Sequence, residues 1–203
     1  MNERIESPEG TERARGSVEI VELSAAQQSF ARRVAESKAT APHVYFECPI
    51  EASPGLAVLV AASARALRDL PLLNGAYRDG RLELYSRVNV AFGVDAAGTL
   101  VLPVVHDADR KDRQAIDGEI EELSELARGG GVTSPALSGA TFTVLDMRPS
   151  GAARFTPVIT RGQAATLGRG TAALTLACDN RIVQGGEGAE FLRRVVAKLE
   201  ASP

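Results

Sequence analysis

Apolar positions along this chain switch between a helical and a strand-like period, and the switches mark the elements. Ser24 followed three residues later by Gln27 has the spacing of a capping box, and it predicts a helix start. In that helix Phe30 and Val34 share one face, while Arg32, Arg33 and Glu36 face water. The β-branched and aromatic run HVYFECPI, residues 43–50, predicts a strand that Pro49 ends or bulges. LAVLVAASARAL, residues 56–67, is apolar nearly all round and predicts a buried helix stopped by Pro71.

Two short strands follow around RLELYS and VNVAFGV, the first entered through an Asp79-Gly80 turn. Ala96-Ala97-Gly98 makes a further turn before TLVLPVV. Residues 112–127 carry Ile116, Ile120, Leu123 and Leu126 at helical spacing, and Gly129-Gly130-Gly131 ends that helix. Strands ATFTVLDM, FTPVIT and TAALTLACD come next. A last helix over about 187–199 has Phe191, Val195 and Leu199 on its buried face. Helices and strands mix without strict βαβ alternation, so the expected class is α+β with a mixed central sheet flanked by helices. No internal repeat or second domain is visible. The expected organisation is one domain over residues 21–203, behind a disordered N-terminal arm over residues 1–20 that is charged and rich in Pro, Gly and Glu.

Composition narrows the function classes. The chain has 203 residues, enough for one well-buried domain, and 44% of them are hydrophobic, which argues against disorder throughout. A net charge of −3 gives no polyanion-binding surface, so nucleic acid is not an expected partner. Cys48 and Cys178 lack metal-ligand spacing and have only His43 and His106 as companions, so no zinc motif forms; free thiols in a reducing compartment are expected. No apolar run approaches a membrane span, and the N-terminus lacks the apolar stretch of a signal peptide. A cytoplasmic protein is expected. The abundance of Ala, Gly and Arg, with no Trp, points to a GC-rich bacterial genome.

Six segments, in order, resemble one family. RVAESKATAPHVYF (33–46) is similar to the opening helix and first strand of the acyltransferase catalytic domain of 2-oxo acid dehydrogenase complexes. LRDLPLLNGAY (67–77) resembles its P-x-L-N helix end. VNVAFGVDAAGTLVLPVVHDADRKD (88–112) and SGATFTVLDM (138–147) resemble its N-I-x-V-A-V…V-P-V-I and G-G-T-F-T-I-S-N-L stretches. RFTPVITRGQAATLGRG (154–170) resembles F-T-x-I-I-N-P-P-Q-x-A-I-L-x-x-G. LTLACDNRIVQGGEGAEFLRRV (174–195) resembles the signature L-S-x-D-H-R-x-x-D-G-x-x-A-A-x-F-L. The resemblance spans nearly all of residues 21–200. It implies a chloramphenicol acetyltransferase-like fold and a homotrimer with its active site between subunits. It also implies a histidine that takes the proton from the thiol of coenzyme A or dihydrolipoamide. A Ser or Thr of the neighbouring subunit donates to the tetrahedral oxyanion.

At those positions the chain departs from the pattern. Asn180 stands where the histidine is expected, and an amide has no basic nitrogen near neutral pH. Leu145 falls at the oxyanion Ser or Thr and donates no hydrogen bond; one such donor is worth roughly 3–4 kcal/mol. Gln184 replaces the signature aspartate, while Asp179, Arg181 and Gly185 around it still match. Gln27 falls where the family commonly has an arginine that pairs with the signature acid. It serves the capping box, and its neutrality also fits the joint loss of an ion pair, since a lone buried charge costs about 3–5 kcal/mol. Between residues 50 and 56 the family carries another helix of roughly 15 residues, where this chain has only EASPG. The family's lipoyl and subunit-binding domains are expected to be absent, so no swinging arm is expected in cis.

The remaining candidates carry less. His43 matches the histidine of the family's A-P-H segment and is no newly acquired base, though it is a ligand-channel candidate, as is Gln27. His106 lies in a surface loop or in the pocket. Cys178 reads as a core thiol, and Asp179 and Arg181 as a structural pair. Glycine runs 129–131 and 185–188 do not follow phosphate-loop spacing and read as turns. The leading expectation is a repurposed or catalytically silent acyltransferase-family protein. Its ligand would be an acyl-CoA, an acyl-carrier-protein thioester or a relative, bound in the inter-subunit channel, in a specialised bacterial pathway. The alternatives are an active acyltransferase using coenzyme A or carrier-protein thioesters with non-standard residues, and a non-catalytic structural subunit that assembles with an active homologue.

Overall fold

The computed structural model describes residue 16 and residues 19–50 and 55–200. Most of the expected arm over 1–20 and most of the EASPG connection lie outside the described residues. Helix α1 (Ala25–Thr40) starts at the capping box: Ser24 Oγ accepts from the Gln27 N–H, and Gln27 Oε1 accepts from the Ser24 N–H. The chain then enters β1 (His43–Pro49). Helix α2 (Leu56–Asp69) is buried on nearly every side, and Pro71 converts its continuation into a 3-10 turn.

The family-like helix end over 67–77 runs on into a strand. β2 (Gly75–Arg78) pairs with β3 (Arg81–Leu84) around Asp79-Gly80, where both residues have positive φ. Asn74 causes the change of direction, because its Nδ2 donates to the carbonyls of Tyr85 and Arg87 and ties off the hairpin. VNVAFGV and TLVLPVV each break in two. β4 (Val90–Phe92) and β7 (Val104–Val105) join the main sheet, while β5 (Val94–Ala96) and β6 (Thr99–Val101) form a separate hairpin. The first break is at Gly93, whose N–H turns to the carbonyl of Val144. The second is at Pro103, which has no N–H for a ladder and accepts from Phe92 instead.

Helix α3 (Arg113–Arg128) is capped by the Asp112 side chain and buries Ile116, Ile120 and Leu123. Leu126, expected beside them, is exposed, and Ala127 takes its place. Eleven residues past Ile116 return to the same stripe at 3.6 residues per turn, whereas ten do not. The chain closes with β8 (Phe142–Asp146), β9 (Ala165–Arg169), β10 (Ala173–Asp179) and α4 (Glu187–Glu200).

The main sheet has the order β1-β10-β9-β8-β4-β7. The β4–β8 and β8–β9 pairs are parallel and the others antiparallel, so the sheet is mixed as expected. Strand alternation gives it two faces. Val144, Leu167, Leu176 and Phe46 form one register row, and with Phe142 they meet the helices. Phe142 lies against Phe191 of α4 with ring centroids 5.4 Å apart. A Cβ on Gly188 would come within 2.3 Å of the Phe46 ring, so α4 can approach β1 only with glycine there. The opposite face carries the row Thr143, Thr166, Ala177 and Tyr45.

FTPVIT, expected as a strand, crosses this second face as irregular extended chain. Pro157 lacks a donor, and the N–H groups of Ile159 and Thr160 go to the side chains of His43 and Thr166 rather than to a ladder. Gly168 makes room for it, since a Cβ there would meet the Phe155 carbonyl at 2.8 Å.

Candidate functional site

The crossing segment is held by side chains on every side. Ser37 Oγ donates to the Ile159 carbonyl at 2.6 Å, and the Ile159 N–H donates to His43 Nε2 at 3.0 Å. Thr143 Oγ1 donates to Gln163 Oε1, and Tyr85 Oη donates to the Gly162 carbonyl. Ile159, Thr160 and Arg161 thereby form a partition between two cavities.

The first cavity, about 530 Å³, is polar and is lined by Tyr77, Arg78, Asp79, Arg161, Asp179 and Arg181 among others. Each of its arginines is answered by a carboxylate. Arg78 pairs with Glu83 at 3.0 Å and Arg161 with Glu36 at 3.3 Å, while Arg181 binds the buried Asp179 through its main chain and its guanidinium. The Arg181 guanidinium also lies 4.0 Å from the centre of the Tyr77 ring, a cation–π contact. Hydrogen bonding to Asp179 raises the Arg181 pKa, with burial acting against it.

The second cavity, about 370 Å³, is apolar. Phe30 and Val34 of α1, Leu100, Leu102, Leu145 of β8 and Phe155 make its wall, and Arg33 and Arg161 also line it. Beside Leu145, the Asp146 carboxylate takes a forked bond from Arg148. Burial pushes the Asp146 pKa up, but the bonds and charge of Arg148 more than offset this and hold it below the usual carboxylate range. The buried Arg169 is brought down to about 10 by desolvation and by Arg148, against the pull of Asp146.

Asn180 follows β10 directly. Its N–H donates to the Pro42 carbonyl, the N–H groups of Ile182 and Val183 turn back to the Asp179 carbonyl, and the residue is exposed. Leu145 stands in register with Gly168 and through it with Thr175, so Asn180 is two strands across and five residues along. That is a separation on the order of 20 Å. One chain therefore does not bring these two positions together. Gln184 is exposed, with one long bond of 3.4 Å to the Arg181 carbonyl, and Gln27 is engaged in its capping box.

Neither histidine faces an open site as a base. His43 Nδ1 donates to the Ala41 carbonyl at 2.7 Å while Nε2 accepts from Ile159, so both ring nitrogens are committed and the tautomer is fixed. Burial lowers its pKa first and Lys38 adds to this; the Ala41 carbonyl and Asp179 oppose them. His106 Nε2 lies 3.0 Å from the Ser138 carbonyl and lines neither cavity. Cys178 is a core thiol with its pKa pushed far up by burial. Among the described residues, no group of three or more His, Cys, Asp or Glu is placed to hold a metal ion, and no helix is long and apolar enough to cross a membrane.

Residues 53–203 match the family of 2-oxoacid dehydrogenases acyltransferase (catalytic domain). The chain belongs to this family. A relative from Arabidopsis thaliana, dihydrolipoyllysine-residue acetyltransferase component 3 of the mitochondrial pyruvate dehydrogenase complex, is 31% identical over 84% of the chain and 39% of its own length. The acyltransferase chain thus spans well under half of that relative. The Azotobacter vinelandii dihydrolipoamide acetyltransferase superposes with a TM-score of 0.89 at 24% identity, covering 96% of each chain. A serine, a histidine and an asparagine of that enzyme have been investigated for their role in its catalytic mechanism. Chloramphenicol acetyltransferase superposes at 0.53 and 11% identity, covering 89% of this chain and 99% of its own. The structural likenesses establish the acyltransferase fold.

The residues that sequence reasoning missed are Arg33, Ser37 and Arg161. Arg33 read as water-facing, yet it lies three residues after Phe30 and one before Val34, at the edge of the same apolar stripe.

Proposed function

We propose that this acyltransferase domain is catalytically silent and binds an acyl ligand, thioester or related, in a channel between subunits of a homotrimer. One observation carries the reading: Asn180 occupies the histidine of the D-H-R signature, while His43 has both ring nitrogens engaged and His106 lines neither cavity. An amide cannot take the thiol proton, and loss of such a base typically removes on the order of 10³–10⁶ in rate. Leu145 adds the loss of the oxyanion donor. In the Azotobacter enzyme the investigated histidine and asparagine are spaced as Asn180 and Gln184 are. An amide at the third position is therefore no departure from that enzyme, and the reading rests on Asn180 and Leu145.

The trimer is supported by the distance between Leu145 and Asn180 within one chain. Acyl transfer needs base and donor within about 3 Å of one carbon, which demands that Leu145 face Asn180 of a neighbour. Gln27 is then placed near Gln184 across the same channel. Light scattering is expected to give the mass of three chains; a stable monomer at micromolar concentration contradicts this. The reading places the protein in a bacterial cytoplasm, where Cys48 and Cys178 stay reduced.

The functional test is acetyl transfer from acetyl-coenzyme A to dihydrolipoamide. The expected rate is at least about a thousandfold below an ordinary member. Turnover within tenfold of such a member, abolished by Asn180→Ala, overturns the reading. The combined substitutions Asn180→His and Leu145→Ser sharpen it. Slow transfer in that variant identifies a decayed site, whereas none, with the trimer intact, points to the missing helix after residue 50.

A further inference from the structure

We propose that the apolar cavity in front of Leu145 is a site for an unesterified medium-chain carboxylic acid, with Arg33 as the partner of its carboxylate. The inference rests on the silent, ligand-binding reading above and names the class of ligand. Three observations carry it.

The first is the wall. Phe30, Val34, Leu100, Leu102, Leu145 and Phe155 offer a chain of methylenes a continuous apolar surface, and Thr160 brings the lone hydroxyl. Leu145 is decisive, because a serine or threonine there would leave a hydroxyl facing the chain, and burying that group without a partner is costly. The volume of about 370 Å³ lies at the small end of ligand pockets.

The second is the charge at the cavity. Arg161 is already paired with Glu36. Arg33 has no ion-pair partner among the described residues, so one uncompensated cation stands beside an apolar chamber. A guanidinium binds a carboxylate through parallel N–H bonds and is matched by a single negative charge.

The third is the contrast with the neighbouring cavity. A coenzyme A thioester brings several phosphate charges. Arg78, Arg161 and Arg181 are each neutralised by Glu83, Glu36 and Asp179, and Asp79 adds a further negative charge. Among the described residues, no surplus of positive charge lines that cavity for a polyphosphate. The pair of cavities accordingly favours the free acid over its coenzyme A ester.

Calorimetric titration of the full chain with octanoate, octanol and octanoyl-coenzyme A tests this. Octanoate is expected to bind more tightly than both, and less tightly as salt is raised. Arg33→Gln is expected to weaken octanoate about tenfold to a hundredfold, the loss of a charge-assisted pair, with octanol unchanged. Arg33 sits at the rim of the cavity, exposed to solvent, so Arg33→Gln is expected to leave the fold intact. Leu145→Asn, tested beside it, is expected to weaken octanoate and octanol alike. Tighter binding of octanoyl-coenzyme A than octanoate, octanoate affinity unmoved by Arg33→Gln, or no octanoate binding overturns the proposal. None of these touches the silent reading, which falls on the acetyl-transfer assay described above.

Discussion

The two faces of the main sheet are held by different forces. On the helix face Phe142, Val144, Leu167 and Leu176 are closed over by α2, α3 and α4, and the contact is apolar. Its strength grows with the area removed from water and tolerates small shifts. On the other face the covering segment is fixed by bonds from Ser37, His43, Thr143 and Thr166, each with one direction and one length. Hydrogen bonds contribute little net stability apiece, about 1 kcal/mol, yet they set positions. The first face therefore decides that the chain folds, and the second decides where the wall of the two cavities stands. That division lets residues on the second face vary in chemistry while the fold persists.

The widest separation between the faces is expected from truncating a core ring. Phe142→Ala removes a fully buried side chain that packs on Phe191, and it is expected to cost about 3–5 kcal/mol in urea unfolding. A loss below about 1 kcal/mol, within the range of a single hydrogen bond, would break the comparison. Ser37→Ala deletes one bond on the other face and leaves the Ile159 carbonyl short of a donor, for an expected loss of about 1–2 kcal/mol. Its larger effect should be local. Hydrogen exchange at the Ile159 amide is expected to quicken in Ser37→Ala and to be unchanged relative to the global rate in Phe142→Ala. The reverse pattern would mean that the partition is held by the core.

The difference between the faces also explains what the sequence made legible. Period and capping marked α1, α2, α3 and α4, because a helix writes its buried stripe and its ends into local sequence, as Ser24 and Gln27 do. The signature around Asp179 located the end of β10, with Asn180 directly after it. FTPVIT has the composition of a strand but no neighbour to pair with, and its backbone donors are taken by His43 and Thr166, residues far from one another in sequence. The β2–β3 hairpin depends on Asn74 reaching two carbonyls beyond it. Leu126 was misplaced by a single position of helical phase. Arg33 gains its meaning only from walls contributed by Leu100, Leu145 and Phe155, which no local window contains.

The smallest expected effect is a pH dependence confined to the second face. His43 is neutral in the fold, because its Nε2 must accept from the Ile159 N–H while Nδ1 donates to Ala41. Burial and Lys38 hold its pKa below the ordinary histidine value, and the Ala41 carbonyl and Asp179 only partly restore it. The unfolded chain therefore binds this proton more readily than the folded one. The stability contributed by neutral His43 is complete above the unfolded value and is lost as pH falls through the folded value. Protonation turns Nε2 into a donor facing another donor, so the Ile159 N–H is expelled and the partition loosens where both cavities meet. The expected signs are faster exchange at Ile159 and weaker octanoate binding on going from about pH 7 to about pH 5, with the helix face unaffected. His43→Gln removes the titration. An unfolding free energy that falls with the same slope in wild type and in His43→Gln across that interval would assign the pH dependence to the carboxylates instead and leave the second face without its switchable bond.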